Sequence, residues 1–305
     1  MQTRVWSELG MRYYQYCIDL TNEYDIENGI KDCDVVINLI GQKPVVRYDY
    51  DYEEPNILVP REIAKVCAKK MKEGTLKRFI HFSAAGANPD AISRRLRTKW
   101  QGEQEVRKYF PETTIIRPTT IISDDNSSNF INYYLHCWNN NNGTVLLLDD
   151  GRCIRQPVLD WDISQAVFNI LQLNDSIGQT YELGGTHSYT MRELMEFFSN
   201  SLRHRPRYVS VSYEEFMKTT LSPNWNFEKA INWLITRPDY SAELRTDIVV
   251  NKRDGVKTFE DLYITPVATH HVLSDFGNWY TDRLNIENHT TRDHDEYDAD
   301  DDAHI

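Results

Sequence analysis

The chain has 305 residues, 40% hydrophobic and 12% aromatic, enough to bury a full core, so a large α/β domain with or without an appendage is expected and a disordered chain is not. Its net charge of −12 is concentrated at the end, where residues 285–305 hold Glu287, Asp293, Asp295, Glu296, Asp298, Asp300, Asp301 and Asp302 against Arg292 alone. The mildly acidic remainder lacks the basic face that a phosphate backbone requires, which argues against nucleic acid as the main partner.

Taken in chain order, short apolar runs alternate with amphipathic stretches, the pattern of a parallel sheet wrapped by crossover helices. Tyr13–Leu20 reads as a strand, Glu23–Lys31 as a short helix, and Asp34–Gly41 as a strand so continuously apolar that both faces should be buried. A helix is expected from about Glu53 to Lys72, with Ile57, Leu58, Ile63, Val66 and Cys67 on one stripe. The strand Lys77–Ser83, the helix Ala91–Tyr109 and the strand Thr113–Ile122 follow. The rhythm then loosens into a helix around Asn129–Trp138, an asparagine run ended by Gly143, and a strand Thr144–Leu148. Asp160 or Asp162 can cap a helix through Ile163–Leu173, and Gln179–Leu183 is a strand. Thr190, with Glu193 at capping-box spacing, opens a helix to about Leu202. From Arg203 the pattern weakens. The stretch with Trp225 and Trp233 reads as helical, Tyr208 and Trp279 suit either core or interface, and the acidic tail should be disordered.

Three regions follow: a nucleotide-binding domain over 1–143, an α/β region over 144–284 that completes the fold and meets partners, and an acidic tail over 285–305. No apolar run approaches the roughly 18–20 residues that span a bilayer. The first residues carry neither a signal-peptide core nor the Arg/Ser-rich character of a mitochondrial presequence. Cys17, Cys33, Cys67, Cys137 and Cys153 are scattered without a CxxC pair, so reduced thiols are expected. His204, His270 and His271 have no carboxylate or cysteine at ligand spacing, which leaves no metal site, and His81 in mid-strand reads as a core histidine. His294 and His304 in the tail could trap divalent ions weakly, though solvation explains that composition better.

Four blocks in order carry a resemblance: DCDVVINLIG (Asp32–Gly41), LKRFIHFSAAGAN (Leu76–Asn88), RRLRTKWQGEQEVRKYFPETTIIRPTTII (Arg94–Ile122) and RQPVLDWDISQAVFNIL (Arg155–Leu171). The series resembles the atypical short-chain dehydrogenase/reductases, and within them the NADPH-carrying accessory subunits of mitochondrial respiratory complex I. The resemblance implies a Rossmann-like, doubly wound parallel sheet with a smaller α+β C-terminal part. In that superfamily the fold opens with a strand and a glycine-rich turn whose helix holds the pyrophosphate. No GxGxxG or GxxGxxG occurs here, and Asp19-Leu20 looks like the end of the superfamily's third strand, so the first strand and the glycine-rich turn are expected to be missing ahead of Met1. An upstream segment or a separate chain would supply that half-sheet, because an open sheet cut there exposes strand edges.

The superfamily's chemistry needs a Tyr that shuttles a proton, a Lys four residues later that lowers its pKa, and a Ser on the substrate carbonyl. Ser83 and Lys99 stand at two of these places, and Arg95 stands where the Tyr should be. A guanidinium with a pKa above about 12 does not exchange a proton near neutrality, so no catalytic residue is expected. The resemblance implies a cofactor crevice lined by Asp19, Leu20, Asn38, Leu39, Ile40, Gly41, Ser83, Lys99, Pro118 and Thr119. For the basic run Arg94, Arg95, Arg97 and Lys99 three readings stand: a solvated helix face, contact with a cofactor phosphate, or a salt bridge to an acidic neighbour.

Three functions compete. One, implied by the resemblance, is a non-catalytic accessory subunit of complex I, peripheral on the matrix side of the mitochondrial inner membrane. It would lie at the junction of the peripheral and membrane arms near the quinone site, against other complex I subunits and lipid head groups. NADPH would be structural there, an expectation set against the absent glycine-rich turn. The second is an NAD(P)-dependent atypical reductase or epimerase with a non-standard acid. The third is a nucleotide-sensing regulator that binds NADP(H) reversibly.

Overall fold

Alternation along the strand Arg78–Phe82 decides the layering, because Phe79 and Ile80 must face opposite sides of any sheet that contains them. In the computed structural model, which describes residues 19–42, 52–123, 144–200, 207–215, 238–252, 255–270 and 272, the two residues sit in different cores. The central sheet joins β1 (Val35–Asn38), β2 (Arg78–Phe82), β3 (Thr114–Pro118), β8 (Thr180–Leu183) and β11 (Val256–Lys257) in the order β1-β2-β3-β8-β11, with every pairing parallel. Phe79 packs among Ile26 of helix α1 (Glu23–Ile30), Ile63, Val66 and Cys67 of α2 (Val59–Lys72), and Val106 of α3 (Arg94–Tyr109). Ile80 packs with Ile116, Tyr181 and Leu183 beneath Ile163, Ala166 and Ile170 of α4 (Asp160–Gln172). Helices on both faces of a parallel sheet make the doubly wound α/β arrangement expected from the sequence.

Smaller pairings surround the sheet. β4 (Ile121–Ile122) runs parallel to β7 (Val158–Leu159), β5 (Thr144–Leu148) runs parallel to β10 (Arg207–Val211), and β6 (Ile154–Arg155) opposes β9 (Tyr189–Thr190). α5 (Met191–Asn200) starts with the anticipated capping box, Glu193 accepting from the Thr190 amide at 2.7 Å and returning its own amide to the Thr190 hydroxyl at 3.1 Å. A short helix α6 (Pro238–Glu243) follows.

Several expectations are corrected. β1 is not buried on both faces: Ile37 is 39% exposed and Leu39 beyond it 68%, because β1 is the edge of the sheet among the described residues. The run Thr113–Ile122 is two strands, broken where Thr119 turns its amide and hydroxyl to other segments. α3 begins at Arg94 rather than Ala91, since the Ser93 hydroxyl caps it by accepting from the Leu96 amide. α4 begins at Asp160 with no side-chain cap, and Asp162 is instead buried, accepting from the Val267 amide at 3.0 Å. The helix before Lys72 opens with one π-helical turn, Glu54–Leu58. Asn56, two turns before Ile63, is fully buried, whereas Leu58, about 140° around the helix from Ile63, faces outward. The expected strand before Asp19, the helix around Asn129–Trp138, Gly143, Trp225, Trp233, Trp279 and the tail lie outside the described residues; Tyr208 donates to the Met195 carbonyl at 2.9 Å.

Candidate functional site

The C-terminal ends of β1, β2 and β3 converge beside the first turns of α3, where an open parallel sheet places its ligand crevice. Lys99 is the centre of this cluster and is only 5% exposed. Its ammonium donates to the Phe82 carbonyl at 3.1 Å and the Ile40 carbonyl at 3.5 Å, tying the ends of β2 and β1. Burial, and then the charge of Arg95, push its pKa down to about 8. A Cβ at Gly41 would stand 2.3 Å from the Lys99 ammonium, so a side chain there would displace the lysine head from its present place.

Beneath Lys99, Asn38 fixes a buried histidine. The Asn38 carboxamide oxygen accepts from the Ile40 amide at 3.0 Å, so its nitrogen donates to His81 Nδ1, also at 3.0 Å. His81 is thereby the neutral tautomer protonated at Nε2, an atom with no partner among the described residues. Burial, and then the Lys99 charge, pull its pKa to about 3. Ser83 Oγ, at the end of β2, is likewise buried and unpartnered. Ser83 lines a cavity of about 270 Å³ with Arg95, Pro118, Thr119, Arg155 and Glu243. The Thr119 hydroxyl is committed elsewhere, donating to the Gln156 carbonyl at 2.5 Å.

Arg95 is closed off by a contact that the sequence does not announce. Its Nε and Nη2 donate to the two carboxylate oxygens of Glu243 at 2.5 and 3.0 Å, both side chains being largely buried. Asp239, one turn earlier on α6, accepts from the backbone amides of Arg94 and Arg95 and from Ser93 Oγ, while Glu243 also accepts from Ser93 Oγ at 3.0 Å. Two carboxylates from α6 thus cap the positive end of α3. The phenol of Tyr52 also bonds Asp239, and burial followed by the charges of Asp239 and Glu243 push it up to about 12. Of the three readings for the basic run, the salt bridge is the one made by Arg95; Arg94 pairs with Glu53 at 3.0 Å, and Arg97 donates to the Ala91 and Ile92 carbonyls.

A second buried ionic group lies farther along the sheet. Arg117 donates to Glu103 at 2.8 and 2.6 Å and to Glu182 at 3.0 Å, and Glu182 in turn accepts from the Asn251 amide. It lies at one wall of a groove of about 860 Å³ whose charged walls are satisfied internally.

Asn38, Ile40, Gly41 and Lys99 are therefore in mutual contact, with Ser83, Pro118 and Thr119 around the adjoining cavity. Leu39 turns outward at the rim. Asp19 and Leu20 precede α1: the Asp19 carboxylate accepts from the Thr21 hydroxyl and amide, bonds that lower its pKa, and Leu20 packs on the first core. The residues missed by sequence reasoning are Tyr52, Asn56, Asp239 and Glu243. Asn56 accepts from the Gln42 amide and donates to Thr98, holding the turn after β1 against α3. Nothing local marks Asp239 and Glu243, which lie some 145 positions from their partners in a weakly patterned stretch.

The geometry fits the ribose and nicotinamide side of a dinucleotide. A buried ammonium at the strand ends, a glycine that leaves room for it, and an unpartnered buried hydroxyl facing a cavity are the features such a ligand uses. No glycine-rich turn for a pyrophosphate occurs among the described residues, and neither do three His, Cys, Asp or Glu grouped to hold a metal.

A family model described as NAD(P)H-binding matches residues 14–134. The chain is 32% identical over 271 residues to the mitochondrial NADH-ubiquinone oxidoreductase 40 kDa subunit of Neurospora crassa, covering 87% of this chain and 67% of that protein. It is 30% identical over 259 residues to the mitochondrial NADH dehydrogenase [ubiquinone] 1 alpha subcomplex subunit 9 of Arabidopsis thaliana, covering 81% and 61%. The chain thus spans about two thirds of the length of these relatives. Among solved structures, the triphenylmethane reductase of Citrobacter complexed with NADP(H) superposes with a TM-score of 0.63 at 16% identity, covering 89% of this chain and 85% of that one.

Proposed function

From a chain that belongs to the family of the NADH-ubiquinone oxidoreductase 40 kDa subunit and alpha subcomplex subunit 9, we infer a non-catalytic accessory subunit of mitochondrial complex I. Its place is peripheral, on the matrix side where the peripheral and membrane arms meet near the quinone site, in reach of lipid head groups. No helix among the described residues is long and apolar enough to cross a membrane, in keeping with attachment through neighbouring subunits.

The observation that carries the non-catalytic reading is Arg95. At the place of the proton-shuttling phenol stands a guanidinium held by both oxygens of Glu243, which keep it charged. The nearest alternative phenol, Tyr52, is bonded to Asp239 and holds its proton more tightly than a free tyrosine. When bound, a nicotinamide dinucleotide offers a hydride, but of the crevice side chains Arg95 and Tyr52 do not exchange the accompanying proton near neutrality, and the Lys99 ammonium is tied to the Phe82 and Ile40 carbonyls. What they do provide is a holder: Lys99 and Ser83 for ribose hydroxyls, with Asn38, Ile40, Gly41, Pro118 and Thr119 forming the walls. NADPH in this crevice is a structural ligand that braces β1, β2 and α3.

The test is native electrophoresis of detergent-solubilised mitochondrial membranes with mass spectrometry of the complex I band, and assay of NADPH released on denaturing it. The expected result is this chain in that band. Absence from the band, or steady NADPH-dependent turnover of a carbonyl substrate by the isolated chain, overturns the reading.

A further inference from the structure

An aromatic strip on the outer face of α4 has no role in the crevice. Trp161 is 75% exposed and Phe168, seven residues later and so on the same side of the helix, is 59% exposed. The segment after the short turn Phe259–Leu262 runs along this helix, with the Asn169 carboxamide donating to the Leu262 carbonyl at 2.8 Å and Asp162 accepting from the Val267 amide at 3.0 Å. These two anchors bring Leu262 to Asn169, one residue past Phe168, and Val267 to Asp162, one residue past Trp161; Tyr263 is 87% exposed and Val267 51% exposed. The strip is about 10 Å long, two turns of helix.

Two observations distinguish it from scattered surface apolar residues. Tyr263 sits at φ 59°, ψ 35°, a left-handed conformation that a glycine or asparagine would adopt at lower cost, so a strained position is spent on presenting a fully exposed ring. The surround is also predominantly acidic. Residues 160–172 and 258–270 contain no lysine or arginine, and Asp160, Glu260 and Asp261 border the strip; Lys252 answers Glu260 at 3.3 Å, and Lys257, just before the second run, donates to the Asp175 carbonyl. Such a frame repels the chain's own acidic segment 285–305 and an anionic lipid surface, and attracts cations around an apolar face.

We propose that Trp161, Phe168, Tyr263 and Val267 form the docking strip for an amphipathic segment of a neighbouring subunit, apolar on the buried side and flanked by lysine or arginine. This rests on the accessory-subunit reading above and names the surface through which the chain is held. Large aromatics at the centre of a contact with charges at the rim are where binding energy concentrates.

The experiment uses the assembled complex. Trp161→Glu with Phe168→Glu is expected to cut incorporation of the chain into the complex at least fivefold. Tyr263→Gly should also cut it while leaving the unfolding midpoint of the isolated chain unchanged or higher, since it relieves backbone strain. Carbodiimide coupling in the wild-type complex should join Asp160, Glu260 or Asp261 to lysines of another subunit. Unchanged incorporation of the variants, or coupling only to this chain or a second copy of it, overturns the docking proposal. Absence of the wild-type chain from the complex defeats instead the reading on which it rests, and the strip's role with it.

Discussion

Arg95 and Glu243, 148 positions apart, form a two-pronged ion pair at 2.5 and 3.0 Å, with side chains 14% and 9% exposed. Removing the carboxylate leaves a buried guanidinium without its counter-charge, a change that costs about 3–5 kcal/mol. Glu243→Ala should therefore lower the urea midpoint strongly, whereas Arg95→Met combined with Glu243→Leu should recover most of the loss. A single variant that costs less than about 1 kcal/mol would show that the pair does not hold α6 on α3.

Restoring the superfamily's residue should not restore chemistry. A phenol introduced by Arg95→Tyr faces the Glu243 and Asp239 carboxylates that help hold Tyr52 up to about 12. The expected outcome is no NADPH-dependent reduction of carbonyl compounds by the Arg95→Tyr chain. Turnover above that of the unaltered protein would mean that the crevice remains competent apart from one side chain.

Lys99 gives stability a definite slope at alkaline pH. Its folded pKa of about 8 lies below the ordinary lysine value of 10.5, so between these values the folded chain has shed a proton that the unfolded chain still binds. Stability relative to Lys99→Met then rises from pH 8 to pH 10.5, by up to about 3 kcal/mol. Below pH 8 both states carry the charge and its burial cost is present in full. Urea unfolding of the two proteins at pH 7, 8.5 and 10 measures the slope; parallel curves would refute it. Lys99→Met should also weaken NADPH retention on gel filtration about tenfold or more.

His81 acts at the acid end. With a folded pKa of about 3 against 6.5, it favours the unfolded state as soon as the pH falls below 6.5. The wild type should lose about 1.4 kcal/mol per pH unit relative to His81→Leu between pH 6 and pH 4. The Leu variant also releases the Asn38 carboxamide, so its stability at pH 7.5 is the reference and only the slope is diagnostic.

Gly102 is the point where α3 touches the π-helical turn. A Cβ there would stand 1.9 Å from the Asn56 carbonyl oxygen, a backbone atom that cannot swing aside. Gly102→Ala should cost at least about 3 kcal/mol, measured by thermal unfolding. A neutral result would mean that the two helices separate more easily than their contact implies.

The layers of the fold were legible because apolar runs such as Phe79–Ile80 and Ile115–Ile116 and the stripe Ile63, Val66 and Cys67 report sheet and helix faces directly. Ser83, Arg95 and Lys99 could be located through the resemblance of their sequence blocks to the superfamily. Their surroundings could not: Glu243 and Asp239 come from a segment whose own periodicity is weak, and a long-range ion pair leaves no trace in local pattern. β1 was misjudged because an apolar run specifies low polarity, not the number of neighbours, and Ile37 and Leu39 stay outside despite it. Leu58 was misplaced because at 100° per residue it stands about 140° around the helix from Ile63, off the buried stripe.

The turn Glu54–Leu58 and α2 together serve two otherwise independent surfaces. Downstream, α2 offers Ile63, Val66 and Cys67 to an apolar core; upstream, the same helix offers Asn56 to Gln42 and Thr98. Asn56 stands seven residues, two turns, before Ile63, so one rod carries the packing stripe and the polar anchor in a fixed phase. Deleting a single residue between Glu54 and Leu58 would leave the composition almost untouched and still disengage the crevice from its scaffold, so insertions and deletions at this turn should be tolerated far less than substitutions along the exposed side of the same helix.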